Sequence, residues 1–300
     1  MSETPLPAQP FSETTQSSKL TIGRQPKVIA HRGASTARRE NTLDAFREAV
    51  RLGADGVELD VRRTANNVLV AHHDAHLMDG RAIVDLSDDE LPEWVPTLAE
   101  VMEVCHEAAC DRKFIINIEI KSTPGDPDYD AKHQVSAAVA GVVLGWGFSQ
   151  PVFSQPVSEG SAGTASHGAQ DAGDILDTQD AADARDGGIG IAGLEIIVSS
   201  FDMEALNRIK AIDPSICTSY LTFEVLAPEL LVGRVAAGGH NVVSPYVAST
   251  SSALVAAAHD VGLEVNVWTV NEPDQITHLA AIGVDAVITD VPDIARAVLG

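Results

Sequence analysis

Basic residues are scarce in this sequence. Its 300 residues include 20 Lys and Arg against 43 Asp and Glu, which gives a formal net charge of −23 at pH 7. Such an acidic surface repels nucleic acid and anionic membranes, so we expect neither as a non-specific partner. If the protein handles an anionic small molecule, a metal ion or a few placed Arg and Lys side chains must supply local positive charge.

Cysteine and long apolar runs are also scarce. Cys105, Cys110 and Cys217 are too few and too scattered for a disulfide framework or a zinc cluster, so we interpret them as small buried hydrophobic residues. Residues 1–26 are polar and lack the apolar core of a signal peptide, and no apolar run is long enough to span a bilayer. We therefore predict a cytoplasmic protein without a stable membrane anchor, in which residues 1–26 form a disordered or loosely packed tail.

Strand-like and helix-like patterns alternate about eight times over residues 27–300. The strand patterns fall at 27–30, 56–61, 68–73, 114–120, 196–201, 217–221, 241–243, 264–270 and 285–288. This alternation and this length are typical of an α/β protein with one closed (β/α)₈ TIM barrel, so we predict a single domain.

One segment interrupts the alternation. Residues 150–193 are rich in Gly, Ala, Ser, Asp and Gln, and their only basic residue is Arg185. A structureless stretch of this length is uncommon inside a compact domain. We interpret it as an acidic low-complexity insertion between a helix and a strand, and expect a solvated surface loop on the barrel face opposite the active site.

Carboxylates follow two of the predicted strands. Glu58 and Asp60 lie two residues apart on one strand and therefore point the same way, and Glu119 occupies the corresponding place on the next main strand. Three oxygen donors suit a hard divalent ion, Mg²⁺ or Ca²⁺, better than zinc. The alternative is a set of carboxylates paired with nearby basic residues, of which Arg62 and Lys121 are examples.

Histidines also end strands. His31 and His73 each follow an apolar strand, which would bring them to the same rim of a barrel, where two imidazoles can act as general base and general acid. His72 competes with His73, and the alternation of the strand does not choose between them. Each histidine taken alone could equally be a hydrogen-bonded structural residue.

Two cations and one aromatic residue complete the candidate site. Arg32 follows His31, and Lys121 follows Glu119 by two positions, so both could contact phosphate oxygens. Trp268 ends a later strand and could either wall a pocket for a small alcohol or pack as a rim aromatic. Thr289-Asp290 also ends a strand, and we assign it only to the rim.

Taken together, these motifs resemble those of the glycerophosphodiester phosphodiesterase family. The matching pieces, in the family's order, are His31-Arg32-Gly33, Glu40-Asn41-Thr42, Glu58-Leu59-Asp60, His73-Asp74 with Leu77, Ile118-Glu119-Ile120-Lys121, Ser199-Ser200-Phe201, Trp268-Thr269-Val270-Asn271 and Thr289-Asp290. The resemblance extends over residues 27–300 except for the acidic insertion. It implies a barrel that hydrolyses small-molecule glycerophosphodiesters to an alcohol and sn-glycerol 3-phosphate with the help of a divalent metal ion, Mg²⁺ or Ca²⁺.

The resemblance also implies roles for individual residues. His31 and His73 take the acid and base roles, and the histidine directly before an aspartate matches the motif, which favours His73 over its neighbour. Glu58, Asp60 and Glu119 take the metal ion. Which histidine is the base, and whether water or a glycerol hydroxyl attacks, stays open.

The same matching assigns the substrate contacts. It implies that Arg32 and Lys121 bind the phosphate and that Trp268 lines the glycerol pocket. It also places Glu40 near the site, bonded to Arg32 or to the histidines.

The sequence departs from the family pattern at the expected rim. Arg39 stands where the family usually has proline, Met78-Asp79-Gly80-Arg81 replaces a familiar Arg-Thr-Thr run, and the stretch 74–93 is short. These changes affect the choice of substrate more than the chemistry. Two alternatives therefore remain: a lysophospholipase-D-like enzyme of the same fold, and a non-catalytic barrel that binds phosphodiesters. The sequence leaves the oligomeric state open.

Overall fold

The computed structural model describes residues 25–109, 112–145, 190–191 and 194–300. The predicted tail therefore lies outside the described residues except for its last two positions. The predicted insertion at 150–193 lies outside them as well, apart from residues 190–191, and so does Cys110.

Eight parallel strands form a closed barrel. They are β1 (Lys27–His31), β2 (Gly56–Arg63), β4 (Phe114–Ile120), β6 (Leu194–Ser200), β7 (Cys217–Thr222), β8 (Val242–Pro245), β9 (Glu264–Val267) and β10 (Ala286–Thr289). The barrel closes because β1 pairs with β10 on one side and with β2 on the other. The prediction of a single (β/α)₈ barrel is confirmed.

Helices lie between the strands and cover the outside of the barrel. They are α1 (Leu43–Arg51), α2 (Leu98–Ala109), α3 (Gln134–Gly145), α4 (Met203–Ile212), α5 (Pro228–Ala237), α6 (Ser252–Asp260), α7 (Pro273–Ile282) and α8 (Pro292–Leu299). Side chains cap several of them: Thr42 accepts from Ala45 N at the start of α1, and Asp202 and Ser251 cap α4 and α6 in the same way.

Two short strands lie outside the eight-stranded wall. β3 (Leu69–Ala71) pairs antiparallel with β2, and β5 (Gly190–Ile191) pairs antiparallel with β6. The strand predicted at 68–73 therefore brings His73 to the same cavity as His31, as expected, but it is not one of the eight barrel strands. Only residues 64–68 separate it from β2, which is too short for the crossover that a parallel strand needs, so the chain returns as a hairpin.

The alternation of β2 separates its apolar and acidic side chains. Val57, Leu59 and Val61 pack outward into a core that also contains Phe46 of α1 and Met102 of α2. Burying these groups supplies most of the free energy that holds the helices on the barrel.

The inner face of the barrel changes character along its axis. Towards the amino ends of the strands it is filled by Ile29, Ile115, Ile197 and Ile288, which form an apolar cluster of their own. Two residues further along three of these strands, the inward positions are His31, Ser199 and Asp290, and on β4 Glu119 follows Ile115 by four positions on the same face. The polar groups are therefore concentrated at the carboxyl ends, where α/β barrels place their functional sites.

Candidate functional site

A cavity of about 990 Å³ opens at the carboxyl ends of the strands. Its lining includes seven of the nine residues selected from the sequence as acid/base groups, substrate contacts or metal ligands: His31, Arg32, Glu40, His73, Glu119, Lys121 and Trp268. Glu58 and Asp60 lie beneath them, fully or almost fully buried. The fold therefore gathers all nine predicted residues around one cavity.

Three buried carboxylates lie together at the base of this cavity. Glu58 and Asp60 come from β2 and Glu119 from β4, and one oxygen of each lies within 4.8 Å of the others. The register of the two strands causes this, because Asp60 is paired directly with Glu119. We call Glu58, Asp60 and Glu119 the acidic triad.

The charge of the acidic triad is only partly compensated. Glu58 Oε1 is buried and accepts no hydrogen bond. Burial raises the pKa of Glu58 well above its usual range, and the charge of Asp60 raises it further. Burial likewise raises the pKa of Glu119, against the opposing charge of Lys121. A free buried oxygen and two carboxyls with raised pKa values fit a site for a divalent cation with oxygen ligands.

Lys121 and Arg32 make the basic contacts of the triad. Lys121 Nζ lies 2.9 Å from Asp60 Oδ1 and 2.5 Å from Glu119 Oε1. Burial disfavours the charged form of Asp60. The charges of Lys121 and Arg32 outweigh this effect and lower the pKa of Asp60. The alternative that nearby basic residues pair with these carboxylates therefore holds for Lys121. It does not hold for Arg62, which pairs with Asp126 and Asp128 instead.

Arg32 is held in place through both its backbone and its side chain. Its backbone N–H donates to Glu58 Oε2 at 2.9 Å. Its Nη1 donates to both carboxylate oxygens of Glu40 at 3.1 Å, and its Nε lies 3.2 Å from Asp60 Oδ2. Its φ of 56° lies in the left-handed region. The guanidinium is thus fixed above the acidic triad, where it can meet an anionic group that enters the cavity.

His31 lies at the end of β1 and is oriented by Asp290. Its Nδ1 lies 2.6 Å from Asp290 Oδ1, while its Nε2 lies 3.9 Å from Glu58 Oε2. Burial lowers the pKa of His31, but the hydrogen bond to Asp290 and the charge of Glu58 outweigh burial and raise it. Asp290 itself accepts hydrogen bonds from Ser35 and Asn271, and its pKa falls to about 2 because these bonds and His31 outweigh its burial.

His73 and His72 follow β3 and point to different partners. His73 Nδ1 lies 2.7 Å from Asp74 Oδ1, and the imidazole lines the cavity that has the acidic triad at its base. His72 Nδ1 instead contacts the backbone oxygen of Asp74 at 2.8 Å, and its ring centroid lies 5.7 Å from that of Trp94. Both histidines line the cavity, so the choice of His73 stays a prediction from the motif.

Trp268 belongs to a group of four aromatic side chains. They follow four consecutive barrel strands, and we call them the aromatic cluster: Phe201, Phe223, Tyr246 and Trp268. The ring of Phe223 lies 4.8 Å from that of Trp268 and 5.3 Å from that of Phe201, centroid to centroid. The indole Nε1 of Trp268 donates to Ser244 O at 2.8 Å, which fixes its edge. Three members of the aromatic cluster, Phe201, Phe223 and Trp268, form an uncharged wall of the cavity.

Sequence reasoning missed several groups that hold the site together. Asn41, which belongs to a matching motif but was given no role in the site, is 2% exposed and donates from Nδ2 to Asp60 Oδ2 at 2.7 Å. Its φ of 54° places it in the left-handed region, which asparagine tolerates better than most residues. Asp290 was assigned only to the rim. For both residues the available signal was membership of a matching motif, Glu40-Asn41-Thr42 for Asn41 and Thr289-Asp290 for Asp290.

A buried ion pair supports the segment that carries His73. Arg62 Nε donates to the backbone oxygen of His73 at 2.8 Å, and its Nη1 makes two hydrogen bonds to Asp128, which is also buried. The guanidinium therefore ties the end of β2 and the loop after β4 to the backbone of His73.

Comparison with known proteins agrees with this geometry. The model of the glycerophosphoryl diester phosphodiesterase family matches residues 31–151 and 180–294. The chain belongs to this family. The prediction from the motifs is confirmed, and so is the enzyme class, a phosphoric diester hydrolase. In a member of this family, the acidic triad indicates a divalent metal site.

Individual relatives extend the comparison. A glycerophosphodiester phosphodiesterase of Caldanaerobacter subterraneus is 27% identical over 285 residues, which cover 89% of this chain and 94% of that protein. Human lysophospholipase D GDPD1 is 36% identical over 85 residues, 28% of this chain and 27% of that one. An Oleispira antarctica phosphodiesterase, solved in complex with the product sn-glycerol-3-phosphate, superposes with a TM-score of 0.67 at 23% identity, covering 91% of this chain and 96% of that one.

A helix that spans a membrane must be both long and apolar. Within the part of the chain that the structure describes, no helix has both the length and the apolar character needed to cross a bilayer.

Proposed function

We propose that this protein hydrolyses glycerophosphodiesters to an alcohol and sn-glycerol 3-phosphate in a reaction that depends on Mg²⁺ or Ca²⁺. The observation that carries the proposal is the convergence of two imidazoles, each bonded to an aspartate, on the acidic triad at the base of one cavity. The name and bound product of the relatives support the same substrate class.

The acidic triad would hold the metal ion. Glu58, Asp60 and Glu119 offer only oxygen ligands, which Mg²⁺ and Ca²⁺ prefer. When bound, such an ion neutralises negative charge on the phosphate oxygens, which otherwise repels the attacking group.

Arg32 and Lys121 orient the phosphate. Both are cationic, both line the cavity and both lie against the acidic triad, so a phosphate that approaches the triad meets them on its way. Arg32 can donate two parallel hydrogen bonds to phosphate oxygens, whereas Lys121 acts as a point charge. Their joint effect is to hold the phosphorus atom within reach of the two imidazoles.

His31 and His73 move the protons. In each ring Nδ1 is engaged by an aspartate, which leaves Nε2 to accept a proton from the attacking hydroxyl or to give one to the leaving alcohol. General acid and base groups of this kind contribute about 10²–10⁴-fold each to the rate. Trp268 and the rest of the aromatic cluster enclose the glycerol arm and limit the access of water.

A single set of assays tests this proposal. Turnover of glycerophosphocholine should require Mg²⁺ or Ca²⁺, stop in EDTA and return when the metal ion is restored. His31→Ala and His73→Ala should each lower kcat by about 10²–10⁴-fold. His278→Ala, at an exposed position of α7, is the matched control and should keep full activity.

Full activity in either His31→Ala or His73→Ala would end the acid/base assignment, and full activity in EDTA would end the metal dependence. Binding of glycerophosphocholine without turnover, in the presence of either ion, would instead support a non-catalytic barrel.

One observation favours a second candidate, hydrolysis of lysophospholipids. The aromatic cluster continues into exposed apolar side chains: Phe223 is 61% exposed, Val225 85% and Leu230 67%. Such a surface could accept an acyl chain on the glycerol arm, and one relative is a lysophospholipase D. Comparing rates on lysophosphatidylcholine and glycerophosphocholine separates the two. A preference for the lipid that is lost in Phe223→Ser and Val225→Ser would favour the second candidate.

We also propose that the protein works in the cytoplasm on a small soluble substrate and binds no nucleic acid. Its net charge of −23 and the reduced thiol of the buried Cys105 support this location. Fractionation of the source cells tests it, and recovery of the protein outside the cytoplasm would contradict it.

A further inference from the structure

A guanidinium lies over the ring of an indole at one edge of the cavity. Arg39 Cζ is 3.6 Å from the ring centroid of Trp94, which is close enough for a strong cation–π contact. Arg39 Nη2 also lies 3.5 Å from the sulfur of Met78. All three side chains line the cavity that contains His73.

This guanidinium has no carboxylate partner. Among residues 25–109, 112–145 and 194–300, no Asp or Glu oxygen lies within 4.0 Å of Arg39, although the chain carries 43 acidic residues. The other Arg and Lys side chains of the cavity are all paired: Arg32 with Glu40 and Asp60, Arg62 with Asp126 and Asp128, and Lys121 with Asp60 and Glu119. The charge of Arg39 is therefore available to a ligand.

Arg39 and Trp94 lie across the barrel mouth from the aromatic cluster. Arg39 belongs to the segment between β1 and α1, and Trp94 to the segment between β3 and α2, so both stand on the side of β1 and β2. The aromatic cluster follows β6, β7, β8 and β9, which form the far side of the closed sheet. The ring of Trp94 contacts His72, the chain neighbour of His73, which places this pair beside the proposed proton-transfer group.

A glycerophosphodiester contains two alcohol groups, the glycerol arm and the leaving alcohol, and the cavity presents a different surface to each. If the proposed function holds, the glycerol arm lies along the uncharged aromatic cluster. The leaving alcohol then extends past His73 towards Arg39 and Trp94. A planar guanidinium binds carboxylate or phosphate oxygens through paired hydrogen bonds, and it repels a quaternary ammonium group that the indole alone would attract.

We propose that Arg39, supported by Trp94, is a subsite for the leaving alcohol and selects alcohols that carry a carboxylate or phosphate over neutral or cationic ones. This inference rests on the proposed function, since it assumes that a glycerophosphodiester is cleaved here. It specifies the class of leaving alcohol, an anionic one, which the metal ligands and the acid/base groups do not determine.

Three esters of sn-glycerol 3-phosphate that differ only in the leaving alcohol provide the test: 3-hydroxypropionate, 1-propanol and choline. At low salt, kcat/KM should be about tenfold higher for the anionic than for the neutral alcohol, and lowest for choline. The anionic preference should shrink as the salt concentration rises, because the charge of Arg39 is exposed to solvent.

Variants at two adjacent arginines assign the effect to one side chain. Arg39→Gln should lower the ratio between the anionic and the neutral ester by about tenfold, and Arg39→Lys should retain part of it, because the charge stays and the planar fork is lost. Arg38→Gln is the matched control, since it removes the same charge from an exposed neighbour outside the cavity lining, and it should keep the original ratio.

The outcomes separate the two proposals. No turnover of any of the three esters would overturn the proposed function together with the subsite. Turnover at equal rates for all three, or an anionic preference that survives in Arg39→Gln, would overturn the subsite alone. A ratio that falls as much in Arg38→Gln as in Arg39→Gln would also overturn it, because the effect would then come from overall charge.

Discussion

His31 and Asp290 stand 259 positions apart in the chain, yet their side chains meet at 2.6 Å. The contact depends on barrel closure, because β1 and β10 are neighbours and Ala30 is paired with Thr289. Asp290 accepts a hydrogen bond from the Nδ1–H group of His31. This bond fixes the tautomer of His31 in which Nε2 carries no proton. Two further donors, Ser35 and Asn271, hold the carboxylate in this position.

Replacing Asp290 by Asn should therefore damage proton transfer by His31. Asp290→Asn removes a charge that raises the pKa of His31, so that pKa falls and the ring loses its proton at a lower pH. We expect kcat to fall by about 10²-fold or more and the limb of the pH–rate profile that reports His31 to move towards lower pH. Asp293→Asn, at an exposed position of α8, is the control. An unchanged pH profile in Asp290→Asn would contradict this role.

The two adjacent histidines should differ in their effect on the rate. The proposed proton-transfer group is His73, whose Nδ1 bonds the carboxylate of Asp74, whereas His72 packs on Trp94 and contacts the backbone oxygen of Asp74. His73→Ala should lower kcat by about 10²–10⁴-fold, and His72→Ala by less than about tenfold. Steady-state kinetics on glycerophosphocholine measure both. Equal losses in the two variants would show that position along the hairpin, and not orientation, determines the effect.

Binding of the metal ion should release protons. The pKa values of Glu58 and Glu119 are raised by burial, so protonated carboxyls compete with the ion, and affinity should fall as the pH drops through these raised values. Calorimetric titration with Mg²⁺ or Ca²⁺ near pH 7, in two buffers that differ in ionisation enthalpy, should report release of about one proton. Glu119→Gln should weaken binding, with Glu224→Gln, at an exposed position between β7 and α5, as control. Affinity that is independent of pH would contradict the expectation.

Two glycines with nearly the same backbone conformation should tolerate alanine very differently. Gly33 and Gly80 have φ values of 79° and 87°, but a Cβ on Gly33 would lie 2.7 Å from the backbone of Ala45, whereas a Cβ on Gly80 meets nothing within 4 Å. Gly80→Ala should cost about 1 kcal/mol of unfolding free energy. Gly33→Ala should cost about 2–4 kcal/mol because overlap with α1 adds to the strain. Chemical denaturation measures both, and equal costs would contradict the argument.

The sequence was sufficient to predict the barrel and the acidic triad. Both follow from local patterns: strands and helices alternate, and the period of two along β2 puts Glu58 and Asp60 on one face. The pairing of β2 with β4 then brings Glu119 beside Asp60 without any further information. Side chains that point inward from the carboxyl ends of neighbouring strands are close for geometric reasons alone.

Other features depend on contacts that no local pattern records. The partner of His31 comes from the last strand, and Arg62 was considered a partner of the acidic triad although it binds Asp126 and Asp128 in a loop after β4. The reversal of β3 was within reach of the sequence, since five residues cannot form a crossover. The stacking of Arg39 on Trp94 joins two loops and depends on side-chain conformations that composition does not determine.

The aromatic cluster draws one ring from each of four successive strand ends, whereas the acidic triad comes from β2 and β4 alone. In the proposed function, recognition of the glycerol arm and binding of the metal ion are thus encoded in different stretches of the gene. We expect that exchanging the segment from β6 to β9 with that of a relative would change the preference for the glycerol arm and leave the residues of the acidic triad in their original sequence.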